Sequence, residues 1–140
     1  MIHHQETIPF RTRGSGIVDI TRDVTRVVDA AHVGLGTATI FVRHTSASLL
    51  IQENADPDVK RDLEAFLQRL VPEGDPLYRH TAEGPDDMPA HVKSTLTATS
   101  LTVPIAEGRM LLGTWQGIFL WEHRRRGHTR QVVVHVSGTS

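Results

Sequence analysis

A chain of 140 residues with 39% hydrophobic and 22% charged side chains has the length of one ordinary globular domain and no room for a second. The absence of cysteine excludes disulfides, thiolate metal sites and a cysteine nucleophile, so any metal must be held by histidine, carboxylate or water. A net charge of −1 gives no field to attract nucleic acid or a membrane surface, no apolar run approaches the roughly 20 residues of a membrane span, and Met1 to Arg11 lacks the apolar core of a signal peptide. The expectation is a soluble cytoplasmic protein with neither nucleic-acid nor membrane partners.

In chain order, Glu6 to Arg13 and Ile17 to Ile20 read as two short strands forming a hairpin around Gly14-Ser15-Gly16, where glycine supplies positive φ at low cost. A helix is predicted over 22–32, capped by Thr21, because Val24, Val27, Val28 and Ala31 recur at helical spacing and Gly34 lies just beyond. From Thr37 to His44 the pattern alternates, with Ala38, Ile40 and Val42 on one face and His44 ending the strand on that face. Ser48 to Asn54 reads as another strand, joined to the first through Thr45-Ser46-Ala47. Asp56 then caps a helix with Pro57 in its first position and a buried stripe of Val59, Leu63, Phe66, Leu67 and Leu70.

Pro72 and Pro76 end that helix and open a loop over 71–86. Loops of this length in compact domains are commonly functional, and this one carries Tyr78, His80 and Asp86. A third helix starts near Asp87, with His91 in its early turns and Met88, Val92 and Leu96 predicted to face inward. The remainder reads as strands: Leu101 to Ile105, Arg109 to Leu112, Thr114 to Glu122 and Arg130 to Val136, with turns at Glu107-Gly108 and Arg126-Gly127-His128. Helices followed by a run of antiparallel strands imply an α+β fold, mainly antiparallel sheet with about three helices, over residues 1–140.

Histidine is the compositional outlier, with nine residues. His44, His80 and His91 are spread over a strand end, a loop and a helix start. Three neutral imidazoles with an open position are a common pattern for a catalytic divalent metal such as zinc, and a helix N-terminus keeps His91 neutral. No local H-x-x-x-H spacing exists, so the same residues would serve equally as hydrogen-bonded core or surface groups. Gln116, Ile118, Leu120 and Glu122 share one strand face. Apolar neighbours there would raise the Glu122 pKa and suit it to proton transfer or metal ligation, whereas on an edge strand it would simply reach solvent. Trp115, Phe119 and Trp121 occupy the opposite face as core or subunit contact. The hydroxyls of Thr45, Ser46 and Ser48 could hold a phosphate, with Gln116 a further substrate-binding candidate. Neither a Gly-x-Ser-x-Gly elbow nor a glycine-rich nucleotide loop is present. Arg124, Arg125, Arg126 and Arg130 read as a solvated basic turn.

The run from His44 through Val59 (His-Thr-Ser-Ala-Ser-Leu-Leu-Ile-Gln-Glu-Asn-Ala-Asp-Pro-Asp-Val), then Tyr78-Arg79-His80, Pro89-Ala90-His91 and Leu112-Gly113-Thr114-Trp115-Gln116-Gly117-Ile118 followed by Glu122, resembles the YjbQ-like family, secondary thiamine-phosphate synthases. The resemblance covers about residues 5 to 138. It implies an α+β fold, a homotrimer with sites near subunit boundaries, and a low thiamine-phosphate synthase activity. It further implies a polar site at His44, His80, His91 and Glu122, with metal in some members. Asp87 departs from the asparagine common there and adds a carboxylate. Three functions stay open: coupling of a pyrimidine diphosphate to a thiazole phosphate, metal-dependent hydrolysis of a small phosphorylated substrate with Glu122 moving the proton and His44 in the catalytic set, and a non-catalytic trimeric binding module.

Overall fold

The computed structural model describes residues 1–140, along which eight strands and three helices follow one another. In order they are β1 (Ile2–Arg11), β2 (Gly16–Asp19), α1 (Thr21–Ala31), β3 (Leu35–Val42), β4 (Ala47–Glu53), α2 (Pro57–Leu70), α3 (Asp87–Leu96), β5 (Ser100–Ala106), β6 (Arg109–Met110), β7 (Gln116–Glu122) and β8 (Thr129–Thr139). Two antiparallel sheets form, a five-stranded one in the order β1-β8-β3-β5-β6 and a three-stranded one in the order β2-β7-β4. The architecture is α+β, as the residue pattern implied. No helix is long and apolar enough to cross a membrane.

The main core fills the space between the inner face of the larger sheet (Ala38, Ile40, Val132, Val134, Val136) and a layer made of α1 and the inner face of the smaller sheet (Leu49, Ile118, Leu120). On α1, Val24, Val27, Val28 and Ala31 are buried as their spacing required. The helix closes at His32, whose φ of 55° places it in the left-handed region before Gly34 is reached.

Three expectations are corrected. Residues 6–20 do not form a hairpin: β1 pairs with β8 and β2 with β7, so Gly14-Ser15-Gly16 carries the chain from one sheet to the other. The eleven-residue β8 gives β1 a long run of partners that the four-residue β2 could not. By contrast, Phe119 and Trp121 are core, one of their two expected roles, because the second surface of the small sheet lies under α2, where Trp121 packs with Leu67 and Val71, whereas Trp115 is exposed. Of the predicted α2 stripe only Leu67 is fully buried, and Phe66 and Leu70 are exposed. On α3 the buried residues are Asp87, Pro89, Ala90, Lys93 and Ser94, Val92 packs half-buried against the Leu67–Val71–Trp121 cluster as expected, and Leu96 faces out. That helix is buried by its polar side.

Candidate functional site

The loop over 71–86 delivers His80 beside the first turn of α3. Its Nε2 lies 2.6 Å from Asp87 Oδ2, and His91 Nε2, one turn along α3, lies 3.3 Å from the same oxygen. His80, Asp87 and His91 place one ligand atom each within 4.8 Å of one another, the spacing of a metal-binding group. His44 is not part of that group: the carboxylate of Asp87 completes it in place of the third imidazole expected from the sequence. Asp87 is itself buried, and Arg124 holds its other oxygen at 2.9 Å. Burial pushes the Asp87 carboxyl up, but the His80 hydrogen bond and the Arg124 charge outweigh it and keep the pKa below the usual carboxylate value.

The tautomer of His91 follows from its partners. Nδ1 lies 3.1 Å from the carbonyl oxygen of Thr45, which can only accept, so Nδ1 carries a proton and, in the neutral ring, Nε2 bears a lone pair. That lone pair faces the Asp87 carboxylate, another acceptor. Either a proton on Nε2 or a metal ion between the two groups satisfies this contact, and a histidine oriented by a backbone carbonyl is the usual support of a metal ligand. Two imidazoles and one carboxylate suit zinc or another divalent first-row ion.

Arg124 also ties down the preceding residue. Its guanidinium donates to Asp86 at 3.0 Å and to the Glu83 carbonyl at 2.9 Å, and the backbone N–H of Arg125 donates to Asp86. Burial again opposes ionisation of Asp86, yet these donors pull its pKa down to about 2. Arg125 pairs with Glu73 at the start of the loop. The loop is therefore strapped to the segment after β7. The expected solvated basic turn is corrected for Arg124 and Arg130, which are covered and paired, while Arg125 pairs with Glu73 but stays exposed.

Glu122 ends β7, opposite Ala47 of β4 and Gly16 of β2, and is fully buried. Its carboxylate accepts from Arg130 Nε at 2.8 Å, from a second Arg130 nitrogen, from the Thr12 hydroxyl at 2.6 Å and from the Arg124 backbone N–H at 3.1 Å. Burial raises its pKa, but these four donors outweigh burial and lower it, reversing the rise expected from apolar neighbours. Glu122 is an anion locked to a buried cation. Arg130 and Thr12 were missed in the sequence. Arg130 carried a usable signal, since it is in phase with Val132, Val134 and Val136 on the inward face of β8.

His44 lies just past the end of β3, in the crossing to β4. Its Nδ1 accepts the backbone N–H of Ser46 at 3.1 Å and lies 3.0 Å from the Ser46 hydroxyl, which in turn accepts from Arg130 at 2.9 Å. Burial foremost, and the nearby Arg130 charge, push the His44 pKa below its usual value. His44, Thr45, His91, Ser94 and Thr99 line an open cleft of about 420 Å³ that has no hydrophobic wall. Of the substrate-binding candidates, Thr45 lines this cleft. Ser46 is buried within the Arg130 chain, and Ser48 is buried against His123 at 2.8 Å. Gln116 stands at the far end of β7, roughly 20 Å from Glu122 at the usual strand rise, and its side chain accepts from the Gly113 backbone. The fold does not bring it to the site.

Comparison with known proteins gives one consistent picture. The family model described as UPF0047 protein YjbQ-like matches residues 6–139. A UPF0047 protein of Synechocystis is 56% identical over 135 residues, covering 96% of this chain and 92% of its own. The UPF0047 protein YjbQ of Escherichia coli O157:H7 is 40% identical over 136 residues, covering 96% and 98%. Among solved structures, an uncharacterized conserved protein of the yjbq/upf0047 family from Clostridium acetobutylicum superimposes with a TM-score of 0.82 at 38% identity, covering 93% of this chain and 99% of its own. A YbjQ-like protein of unknown function from Sulfolobus solfataricus shares the fold with a TM-score of 0.85 at 23% identity, covering 97% and 99%.

Proposed function

The chain belongs to the YjbQ-like UPF0047 family, and from that premise we propose that it is a metal-dependent enzyme acting on a small phosphorylated substrate. The observation that carries this reading is the His80–Asp87–His91 group, whose three ligand atoms lie within 4.8 Å of one another, with His91 Nε2 3.3 Å from the Asp87 carboxylate. A divalent cation bound there would supply positive charge for phosphate oxygens and acidify a water molecule. The chain's own residues do the rest. His80, Asp87 and His91 provide the ligands, Arg124 and the Thr45 carbonyl orient them, and the cleft beside His91 offers imidazole and hydroxyl groups to an anion.

Two reactions share these needs. Hydrolysis of a phosphate ester is favoured by the lining of the cleft, which is made of imidazole and hydroxyl side chains and holds no Phe, Tyr or Trp. Coupling of a pyrimidine diphosphate to a thiazole phosphate is favoured by the family resemblance, and there the same groups would steady the departing diphosphate. A homotrimer in a cytoplasmic setting completes the proposal, the second point according with a chain that has no cysteine.

The test is metal analysis of the purified protein, followed by assays with both thiamine precursors and with a panel of phosphate esters, each with and without chelator. Bound divalent metal, and turnover lost on chelation, are expected. His91→Ala should lose the metal while remaining folded, because the side chain lies outside the core. Parent protein that is metal-free and equally active after chelation overturns the reading.

A further inference from the structure

We infer that His44 is a fixed hydrogen-bond donor for a phosphate oxygen in the cleft, a neutral imidazole with its proton on Nε2, and not a ligand of the metal. The inference rests on the reading above for its phosphorylated substrate, but its central observation is independent of any metal. A backbone N–H cannot reverse its role. Because Ser46 N–H donates to His44 Nδ1 at 3.1 Å, that nitrogen must present a lone pair, and a neutral ring then carries its proton on Nε2.

The side-chain chain behind the ring runs in the same direction. Arg130 has only donors, so its nitrogen 2.9 Å from Ser46 Oγ fills a lone pair of the hydroxyl. With Nδ1 already held as an acceptor by the Ser46 N–H, the hydroxyl is the donor in its 3.0 Å contact with that nitrogen. Arg130 is in turn gripped by Glu122, and both are buried, so nothing in this series is free to rotate toward solvent. Protons point one way, from Arg130 through Ser46 to His44. The buried Glu122–Arg130 pair thus acts as a positioning device for the imidazole.

With Nδ1 turned inward, the opposite edge of the ring is the one that lines the cleft beside Thr45 and His91. Ligation of a cation through Nε2 would need the lone pair there and would push the ring proton onto Nδ1, against the Ser46 N–H. A phosphate oxygen has the opposite requirement and accepts Nε2–H directly. The charged groups near the ring, Arg130 and Glu122 within the wall and His128 and His91 around it, leave the imidazole neutral, since burial and Arg130 outweigh Glu122. His44 is therefore a directional donor and not a second cation.

Long-range proton–nitrogen NMR of the histidine rings in metal-free protein reads the tautomer directly, and Nε2–H is expected for His44. Nδ1–H would overturn the inference. The second measurement titrates inorganic phosphate into metal-loaded protein. Phosphate should shift the His44 Nε2–H signal, and His44→Ala should weaken phosphate binding roughly ten-fold or more while leaving metal affinity unchanged. Loss of metal in His44→Ala makes His44 a ligand and sinks the inference, as does equal phosphate binding by parent and variant or none by the parent. A parent that binds no metal fails the functional reading instead, and the tautomer measurement still decides the state of the His44 ring.

Discussion

His123 is the residue whose environment most changes its chemistry. It is buried after β7, where its Nε2 meets the Ser48 hydroxyl at 2.8 Å and its ring lies 5.3 Å from that of Trp121. Burial first, then the positive charges of Lys93 and Arg130, push its pKa down to about 3. The folded protein thus keeps this ring neutral, while the unfolded chain takes up a proton below about 6.5. More protons bound by the unfolded state means stability rises with pH, so this contribution is intact above about 6.5 and is lost as pH falls toward 3. A shift of this size corresponds to a loss on the order of 5 kcal/mol across the whole window. Asp86, with its pKa drawn down to about 2, adds a further loss only below about 4. Unfolding of chelator-treated protein should show the parent midpoint dropping steadily between pH 7 and 4.5, and His123→Gln dropping less. Parallel curves for the two proteins over that range would mean that His123 is not the group responsible.

At the level of the elements, legibility was uneven: on α1 the spacing marks the buried face correctly but not the cap, since Thr21 is the first helical residue and Ile20 stands at the cap, whereas on α2 the start was the clearer signal. Asp56-Pro57 announced α2 correctly: the Asp56 side chain accepts from the Asp58 N–H at 2.9 Å and Pro57 occupies the first turn. The apolar spacing of Met88, Val92 and Leu96 is right on α3 for Val92, which packs against the small core cluster, but wrong for the exposed Leu96, because much of the inward side is held by polar pairing. Its Lys93 ammonium is buried, donating to Gln68 Oε1 of α2 at 2.8 Å. The Gln68 amide then donates to Glu64 at 2.8 Å, which accepts from the Trp121 indole at 2.6 Å. No hydrophobic pattern can announce such a network, since the partners lie on three different elements. It fixes the helix that carries Asp87 and His91. Gln68→Leu should cost about 2 kcal/mol by leaving a buried ammonium without its acceptor, whereas Gln68→Leu combined with Lys93→Met should recover most of that loss. Denaturant unfolding of the two single variants and the double variant measures this, and additive losses would show that the pair is not coupled.

For the whole molecule, the sequence carried the α+β class and most strand positions, but not which strands pair. Period-two alternation says that a segment is a strand and is silent about its neighbour, which is why β1 and β2 looked like a hairpin and proved to lie in separate sheets. The site suffered in the same way. His80 and His91 could be nominated singly, but only the folded chain puts Asp87 between them and Arg130 behind His44. Assembly is the remaining question at this scale. The face of the five-stranded sheet opposite the core is covered by no helix, and on it Phe41 of β3, 44% exposed, stands directly across from Val133 of β8. The burial of Phe119 and Trp121 removes them as the subunit contact, leaving Trp115, 63% exposed, and this open sheet face as candidates for it. The proposed trimer should therefore sediment at three times the 15.5 kDa chain mass at micromolar concentration. Phe41→Glu, which places a charge on that face near the end of β3 without touching the core, should shift the mass toward the monomer and leave the unfolding midpoint of the isolated chain nearly unchanged. A monomeric parent would sink the trimer, and a trimeric Phe41→Glu protein would place its contact on another surface.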